Sequence, residues 1–407
     1  MSDFDLDASP ETLSTAVLDW LDAHWDTQHR RPLDDPDGDK QLWHQKVLDA
    51  GLAVPSWPEE WFGLGMKPAQ CKAIERAFAE RKASGAGLDR YHLGAITVFK
   101  AGSDALKREM LPQLLTGPIC CLLYSEPNAG SDLAGIRTRA EREGERFIIN
   151  GQKVWTSNAA EAEYGMLLAR TDWDVPKHRG ITFFLFPMKQ QGVEIRPINQ
   201  ITGESEFNEI FIENATVPER FIIGKLNEGW GSFQTAIAYE RLIMGQGITE
   251  RRRGNSAKGR PPILELAAKT HRLQDPVIRQ RLAQALAYRE VNRLNNERAK
   301  IDMTTNGSLS LMSLSKLAMS PIQHGEAAIA TDLLGPAALL DGPNNADPAN
   351  ANFDAAKAYM NSIGGGTDQI QRNIIAEKVL GLPKEHEPDK GTSFRAVKSD
   401  AGSRSGE

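Results

Sequence analysis

Apolar positions divide this chain into three textures. From about residue 10 to 118 they recur every three to four residues, the spacing of one helix face. Glu11 to Trp25 and Ala69 to Lys82 read as amphipathic helices. Another begins at Tyr91-His92-Leu93-Gly94-Ala95. Ser103-Asp104 caps a short helix to about Leu115, and Gly117-Pro118 stops it. From about Ile119 to Val217 the runs shorten. Phe147-Ile148-Ile149 and Lys153-Val154-Trp155 flank Asn150-Gly151, a two-residue hairpin signal. Met166 to Ala169, Ile181 to Phe186, Val193 to Ile198 and Glu209 to Ile212 are further strands. Short strands separated by turns predict a compact β-barrel or sandwich. Helical spacing returns over Glu228 to Gly245, Val277 to Ala299, Leu309 to Leu334 and Asn352 to Ile363, with a shorter helix from Gln369 to Leu380. That spacing fits an antiparallel bundle.

The expected fold class is therefore α+β and multidomain. An N-terminal α-helical domain takes residues 1–118, a middle β-barrel 119–220 and a C-terminal four-helix bundle 221–383. The segment 384–407 is polar and rich in Gly and Ser, and is expected to be disordered. Arg251 to Pro262 carries Gly, Pro and five basic residues, which reads as a loop. It is either a solvated basic loop or a contact for phosphate groups.

Composition adds limits. With 407 residues, 40% hydrophobic and 25% charged, the chain matches an ordinary globular protein. A formal charge of −6 argues against a broad nucleic-acid surface. The three cysteines, Cys71, Cys120 and Cys121, have no metal-ligand spacing and no disulfide framework. Cys120-Cys121 reads as small core residues on a strand, with a redox pair as the alternative. Met1-Ser2-Asp3-Phe4-Asp5 lacks the basic and apolar regions of a leader, and no apolar run reaches membrane-span length. The expected location is cytoplasmic.

Three motifs carry chemistry. Ser125-Glu126-Pro127-Asn128-Ala129-Gly130-Ser131-Asp132 sets small residues among hydroxyls. Small residues let a backbone approach a ligand closely, and hydroxyls and free N–H groups donate to ring atoms and phosphate oxygens. Gly151-Gln152-Lys153-Val154-Trp155-Thr156-Ser157-Asn158 follows. Strand alternation there puts Trp155 and Ser157 on one face, with Val154 and Thr156 on the other. Ile363-Gly364-Gly365-Gly366-Thr367-Asp368-Gln369-Ile370-Gln371-Arg372 closes the set.

Together these motifs, over about residues 40 to 383, resemble the acyl-CoA dehydrogenases. The first differs from the family pattern Ser/Thr-Glu-Pro-Gly-Ala-Gly-Ser-Asp only at Asn128. The resemblance implies FAD as cofactor. It puts Tyr124 and Ser125 against the flavin, Gly130 and Ser131 near the pyrophosphate, Trp155 and Ser157 on the ring system, and Thr367 and Gln369 at the adenosine. Two family features are altered. An Arg-x-x-Phe-Gly motif is absent after the first bundle helix. The Gly-Gly-Asn-Gly turn becomes Leu334-Gly335-Pro336-Ala337, leaving Gly335 as the matching cofactor position. The basic loop at Arg251 to Arg260 is a candidate substitute for the missing arginine.

A third departure matters most. The family's Tyr-Glu-Gly-Thr run, whose glutamate removes the substrate α-proton in many members, here reads Gly364-Gly365-Gly366-Thr367. In members resembling isovaleryl-CoA and long-chain acyl-CoA dehydrogenases, a Glu-Arg pair on the first bundle helix supplies the base. Glu240 and Arg241 match that pair. The residues agree. Helical neighbours of Glu240 are Ala236, Ile237, Ile243 and Met244, all apolar. Arg241 projects about 100° away around the helix. A carboxylate on such a stripe favours its protonated form, which suits a base that must hold a proton. The alternative is a structural Glu240 paired with a basic residue of another helix.

The resemblance implies α,β-dehydrogenation of an acyl-CoA thioester, with Glu240 taking the α-proton and flavin N5 the β-hydride. Arg241 places the substrate or Glu240. The Gly-Gly-Gly run with Glu-Arg also resembles actinobacterial members of steroid side-chain degradation, which implies a wide acyl pocket. Implied partners are electron-transfer flavoprotein and either a homo-oligomer or a mixed oligomer with a related chain. Two rivals stay open: a non-catalytic partner subunit, and a flavin-dependent monooxygenase on the same fold. No metal, nucleic acid or membrane span is expected.

Overall fold

A computed structural model describes residues 4–35, 39–117, 120–240, 262–308, 310–340 and 344–397. It forms two compact units. One comprises Met1–Ile198, Ser205–Ala236 and Asp389–Glu407, the other Asn199–Glu204 and Ile237–Pro388.

The first unit opens with helices. α1 (Pro10–His24) buries Leu13, Val17 and Leu21, one residue per turn, and Ser9 caps it by accepting from Thr12 N. α2 (Lys40–Asp49) is absent from the sequence reading. It buries only Trp43, Val47 and Leu48 among polar residues, too narrow a stripe to stand out. Asp39 starts it by accepting from Gln41 and Leu42 N–H. α3 (Pro68–Glu80), α4 (Leu88–Tyr91), α5 (Leu93–Ala101) and α6 (Asp104–Thr116) follow, and Ser103 caps α6 as expected. A short ribbon, β1 (Trp25–Asp26) with β2 (Arg31–Pro32), links α1 to α2.

The sheet has seven strands: β3 (Cys121–Leu123), β4 (Arg139–Glu143), β5 (Arg146–Ser157), β6 (Tyr164–Arg170), β7 (Ile181–Pro187), β8 (Val193–Pro197) and β9 (Phe207–Pro218). β3 and β4 share one edge of β6 and run parallel to it, while β7 pairs antiparallel on the other edge. β7 is buried from Ile181 to Phe186, which explains its unbroken apolar run.

The hairpin expected at Asn150-Gly151 is not there. β5 runs straight through it, paired with β9 on both sides, and the register shifts between Ile149 and Gly151. Glycine is needed for closeness: a Cβ at Gly151 would lie 2.4 Å from Thr138 Oγ1. The reversal lies earlier, at Gly144-Glu145 between β4 and β5. Order in the C-terminal segment also departs from expectation. Phe394 is 3% exposed, within a short turn at Phe394–Ala396.

α7 is helical over residues 229–240. The second unit adds α8 (Pro262–Lys269), α9 (Pro276–Asn306), α10 (Met312–Leu334), α11 (Ala346–Ile363) and α12 (Asp368–Ile374). α8 is a further element the sequence reading missed. Ile263, Ala267, Ile278, Leu282, Ile329 and Leu333 interlock α8, α9 and α10. Arg289 of α9 and Glu326 of α10 pair across that layer. Among the described residues no helix is long and apolar enough to cross a membrane.

Candidate active site

The first two motifs meet side by side in the first unit. Val154 N donates to Ser125 O at 3.0 Å, and Thr156 Oγ1 donates to Leu122 O at 3.2 Å. Lys153 makes the central link. Its Nζ donates to Tyr124 O at 3.0 Å and to Glu126 Oε1 at 2.9 Å. The Lys153 side chain is wholly buried and that of Glu126 is 9% exposed. Glu126 also accepts from Arg137 N at 2.6 Å and Thr138 N at 2.9 Å. Burial pushes the Glu126 carboxyl up, but the Lys153 charge and these donors pull it down further, to a net lowering. Burial lowers Lys153, against the pull of Glu126. Nothing in the local sequence pattern singles out this brace beyond a lysine within a strand, three residues before a threonine.

A bulge re-aims the second motif. Lys153 pairs with Ile210 but Thr156 with Asn208, so β5 carries one extra residue here. Lys153 and Thr156 are the buried pair, which corrects the expected grouping of Val154 with Thr156. Trp155 takes φ +62°, is 60% exposed and meets the Phe207 ring edge to face, at 6.1 Å between centroids. Ser157 is half-buried. A large aromatic in left-handed backbone costs about 1–3 kcal/mol, and such strain collects at ligand sites.

Tyr124 packs edge-on against Phe233 of α7 at 4.9 Å, and Ser125 is half-buried. The Glu126–Ala129 turn closes with reciprocal backbone bonds of 3.1 and 3.0 Å. Gly130 and Ser131 beyond it are exposed, with nothing within 4 Å of a Cβ at Gly130. Asp132 pairs with Lys177 at 2.9 Å. An outward indole beside a serine, next to an open turn with a bare glycine, fits a flat ring system carrying a pyrophosphate. These residues fit FAD.

The second unit holds the remaining candidates. Thr367 caps α12, its hydroxyl accepting from Ile370 N at 3.2 Å, and Gln369 is exposed. Gly365 and Gly366 take φ +64° and +87°, as a helix-stop turn requires. Gln371 Nε2 pins the turn from beneath by donating to Gly365 O at 3.0 Å. Gly335 ends α10 at φ +54°. Glu240 is half-buried on α7 and follows Phe233 and Ala236, both buried, along the helix. Arg241 and the basic loop 251–260 lie outside the described residues. So Tyr124, Ser125, Gly130, Ser131, Trp155 and Ser157 belong to one unit, and Glu240, Gly335, Thr367 and Gln369 to the other.

Family comparison covers nearly the whole chain. The acyl-CoA dehydrogenase N-terminal domain matches residues 9–118, the middle domain 121–215 and the C-terminal domain 227–380. The acyl-CoA dehydrogenase IpdE1 of Mycolicibacterium smegmatis is 35% identical over 370 residues, covering 85% of this chain and 89% of its own. Among solved structures, the Tcur3481-Tcur3483 steroid ACAD has a TM-score of 0.68 at 24% identity, covering 94% of this chain and 100% of its own. The ChsE4-ChsE5 complex from Mycobacterium tuberculosis gives 0.64 at 24% identity with the same coverage, 94% and 100%. This chain belongs to the acyl-CoA dehydrogenase family and is an FAD-dependent oxidoreductase.

Proposed function

We propose that the chain dehydrogenates an acyl-CoA thioester between its α and β carbons, with Glu240 as the base. The observation that carries this is a paired loss and gain. Gly365 stands where the family's carboxylate would be, and α7 offers Glu240 on the stripe that runs through Phe233 and Ala236. FAD, when bound, supplies the acceptor for the β-hydride. Trp155 and Ser157 bind its ring system, Tyr124 and Ser125 line it, and Gly130 and Ser131 admit the pyrophosphate. Thr367, Gln369 and Gly335 serve the adenosine end. Glu240 takes the α-proton as general base. Arg241 orients the substrate or Glu240. The division at 118, 220 and 383 follows these roles.

Replacing Tyr-Glu by Gly364-Gly365 removes two large side chains, which suits branched or ring-bearing acyl groups. The steroid ACAD likeness supports that class. The ChsE4-ChsE5 likeness supports a mixed oligomer, and reduced flavin would pass its electrons to electron-transfer flavoprotein. A non-catalytic partner subunit is the second reading. It is favoured by the altered turn at Leu334-Gly335-Pro336-Ala337. A flavin monooxygenase needs no carboxylate base, and Glu240 speaks against it.

Anaerobic titration of the purified protein with a panel of thioesters, read by flavin absorbance, tests the proposal. Bulky thioesters should bleach the flavin and straight short ones should do so poorly. No bleaching by any thioester would favour the partner-subunit reading.

A further inference from the structure

The C-terminal segment returns to the first unit and closes over a buried charge. Arg170, the last residue of β6, is 0% exposed. Its guanidinium donates to three backbone carbonyls: Ile136 at 3.1 Å, Lys177 at 3.1 Å and Ala134 at 2.6 Å. Among the described residues it forms no ion pair. Burial lowers it to about 10, so it stays ionised at neutral pH. The Phe394 ring lies over it, 3.6 Å from the guanidinium carbon. Backbone bonds seat that ring: Phe394 N donates to Val175 O at 2.9 Å and Arg395 N to Trp173 O at 2.8 Å.

Both routes away from this contact lead to the cofactor motif. Arg170 holds the carbonyls of Ala134 and Ile136, two and four residues beyond Asp132 in the same segment as Gly130 and Ser131. The 173–177 loop under the strap reaches the same place through Lys177, which pairs with Asp132. An aromatic face keeps water off a guanidinium and so keeps its donors on the carbonyls. Without that face the charge can rehydrate, and Ala134 and Ile136 lose their partner in a buried setting.

We propose that residues 393–397 are a positioning strap for the cofactor, in which Phe394 acts through Arg170 to hold the 130–136 backbone in its pyrophosphate-accepting shape. The inference rests on the assignment of Gly130 and Ser131 to FAD. It makes Phe394 a positioning residue, since it touches the guanidinium and the 173–175 loop rather than the ligand.

Apoprotein titrated with FAD, followed by flavin fluorescence, tests it. Phe394→Ala should weaken FAD binding about 10- to 30-fold, the loss expected for a desolvated cation–π contact. Phe394→Trp should restore most of the affinity. Arg220→Ala removes an exposed pair with Glu109, outside the strap and its loop, and should leave affinity within about twofold. A second measurement covers the case in which Phe394→Ala does not fold. Coupling is reciprocal, so FAD added to the wild-type chain must slow hydrogen exchange at the Phe394 and Arg395 amides. FAD affinity within twofold in Phe394→Ala, or unchanged exchange at those amides, would overturn the strap. A wild-type chain that takes up no FAD would overturn the cofactor site as well, which tells the two failures apart.

Discussion

Two turns in this chain do comparable jobs by opposite means. The turn at Ser125 to Asp132 is held from behind by buried ionic groups. Lys153 and Glu126 tie it to β5, and Arg170 anchors the residues that follow. The turn at Gly364 to Gly366 is held by backbone conformation, with φ +64° and +87° and one amide from Gln371. In the first turn Gly130 is not strained, and its missing Cβ leaves room outside. In the second, glycine is what the backbone demands. Gly130 leaves open space where a ligand is proposed, whereas Gly365 and Gly366 meet a backbone requirement.

Removing the ionic brace should have the largest effect. Lys153→Met leaves Glu126 charged, buried and short of a partner, which costs about 3–5 kcal/mol in denaturant unfolding. The same brace has a pH signature. Glu126 is lowered when folded, so folding favours its ionised form. That stability is full above its ordinary value of 4.5 and fades as pH falls through the lower folded value. Glu126→Gln should flatten this part of an acid-unfolding curve, and an unchanged curve would remove the brace from the account.

Next comes the contrast between glycines. Gly365→Ala forces a side chain into left-handed backbone and should destabilise the fold by about 1–2 kcal/mol, although the space there is open. Gly130→Ala should leave the apoprotein within about 0.5 kcal/mol of wild type, as for unstrained surface changes. Its effect should appear in FAD affinity instead. If both glycines behaved alike in apoprotein melting, the comparison would collapse. The smallest change in stability is expected at Trp155. Trp155→Asn keeps a residue that tolerates φ +62° and loses an indole that is 60% exposed. Apoprotein stability should stay within about 0.5 kcal/mol while FAD binding weakens. A large loss of apoprotein stability would mark Trp155 as core.

Much of the fold is legible in the sequence where local pattern and tertiary packing agree. α6 carries its Ser103 cap in plain view, and α1, α9 and α10 fall where helical spacing predicts them. β4 does not: Arg139-Ala140-Glu141-Arg142-Glu143 buries only Ala140, and pairing to β5 makes it a strand. Asn150-Gly151 misled for a related reason. Turn statistics describe an isolated reversal, while long pairing with β9 keeps β5 extended through it. The strap was hidden because Phe394 finds its partner Arg170 far upstream, among polar residues that read as disorder. At the candidate site the residues proposed for FAD stand in motifs that the sequence displays openly. Lys153, Glu126 and Arg170 behind them do not stand out, because each looks like an ordinary surface charge until its burial is known.

The central claim is that the proton-abstracting carboxylate has moved to α7. The decisive measurement is the single-turnover rate of flavin reduction by a turned-over thioester, for wild type and Glu240→Gln at matched FAD occupancy. The expected rate is about 10²–10⁴-fold lower in the variant, the usual worth of a general base, with FAD affinity unchanged. Flavin reduction by Glu240→Gln within a few-fold of wild type would contradict the claim.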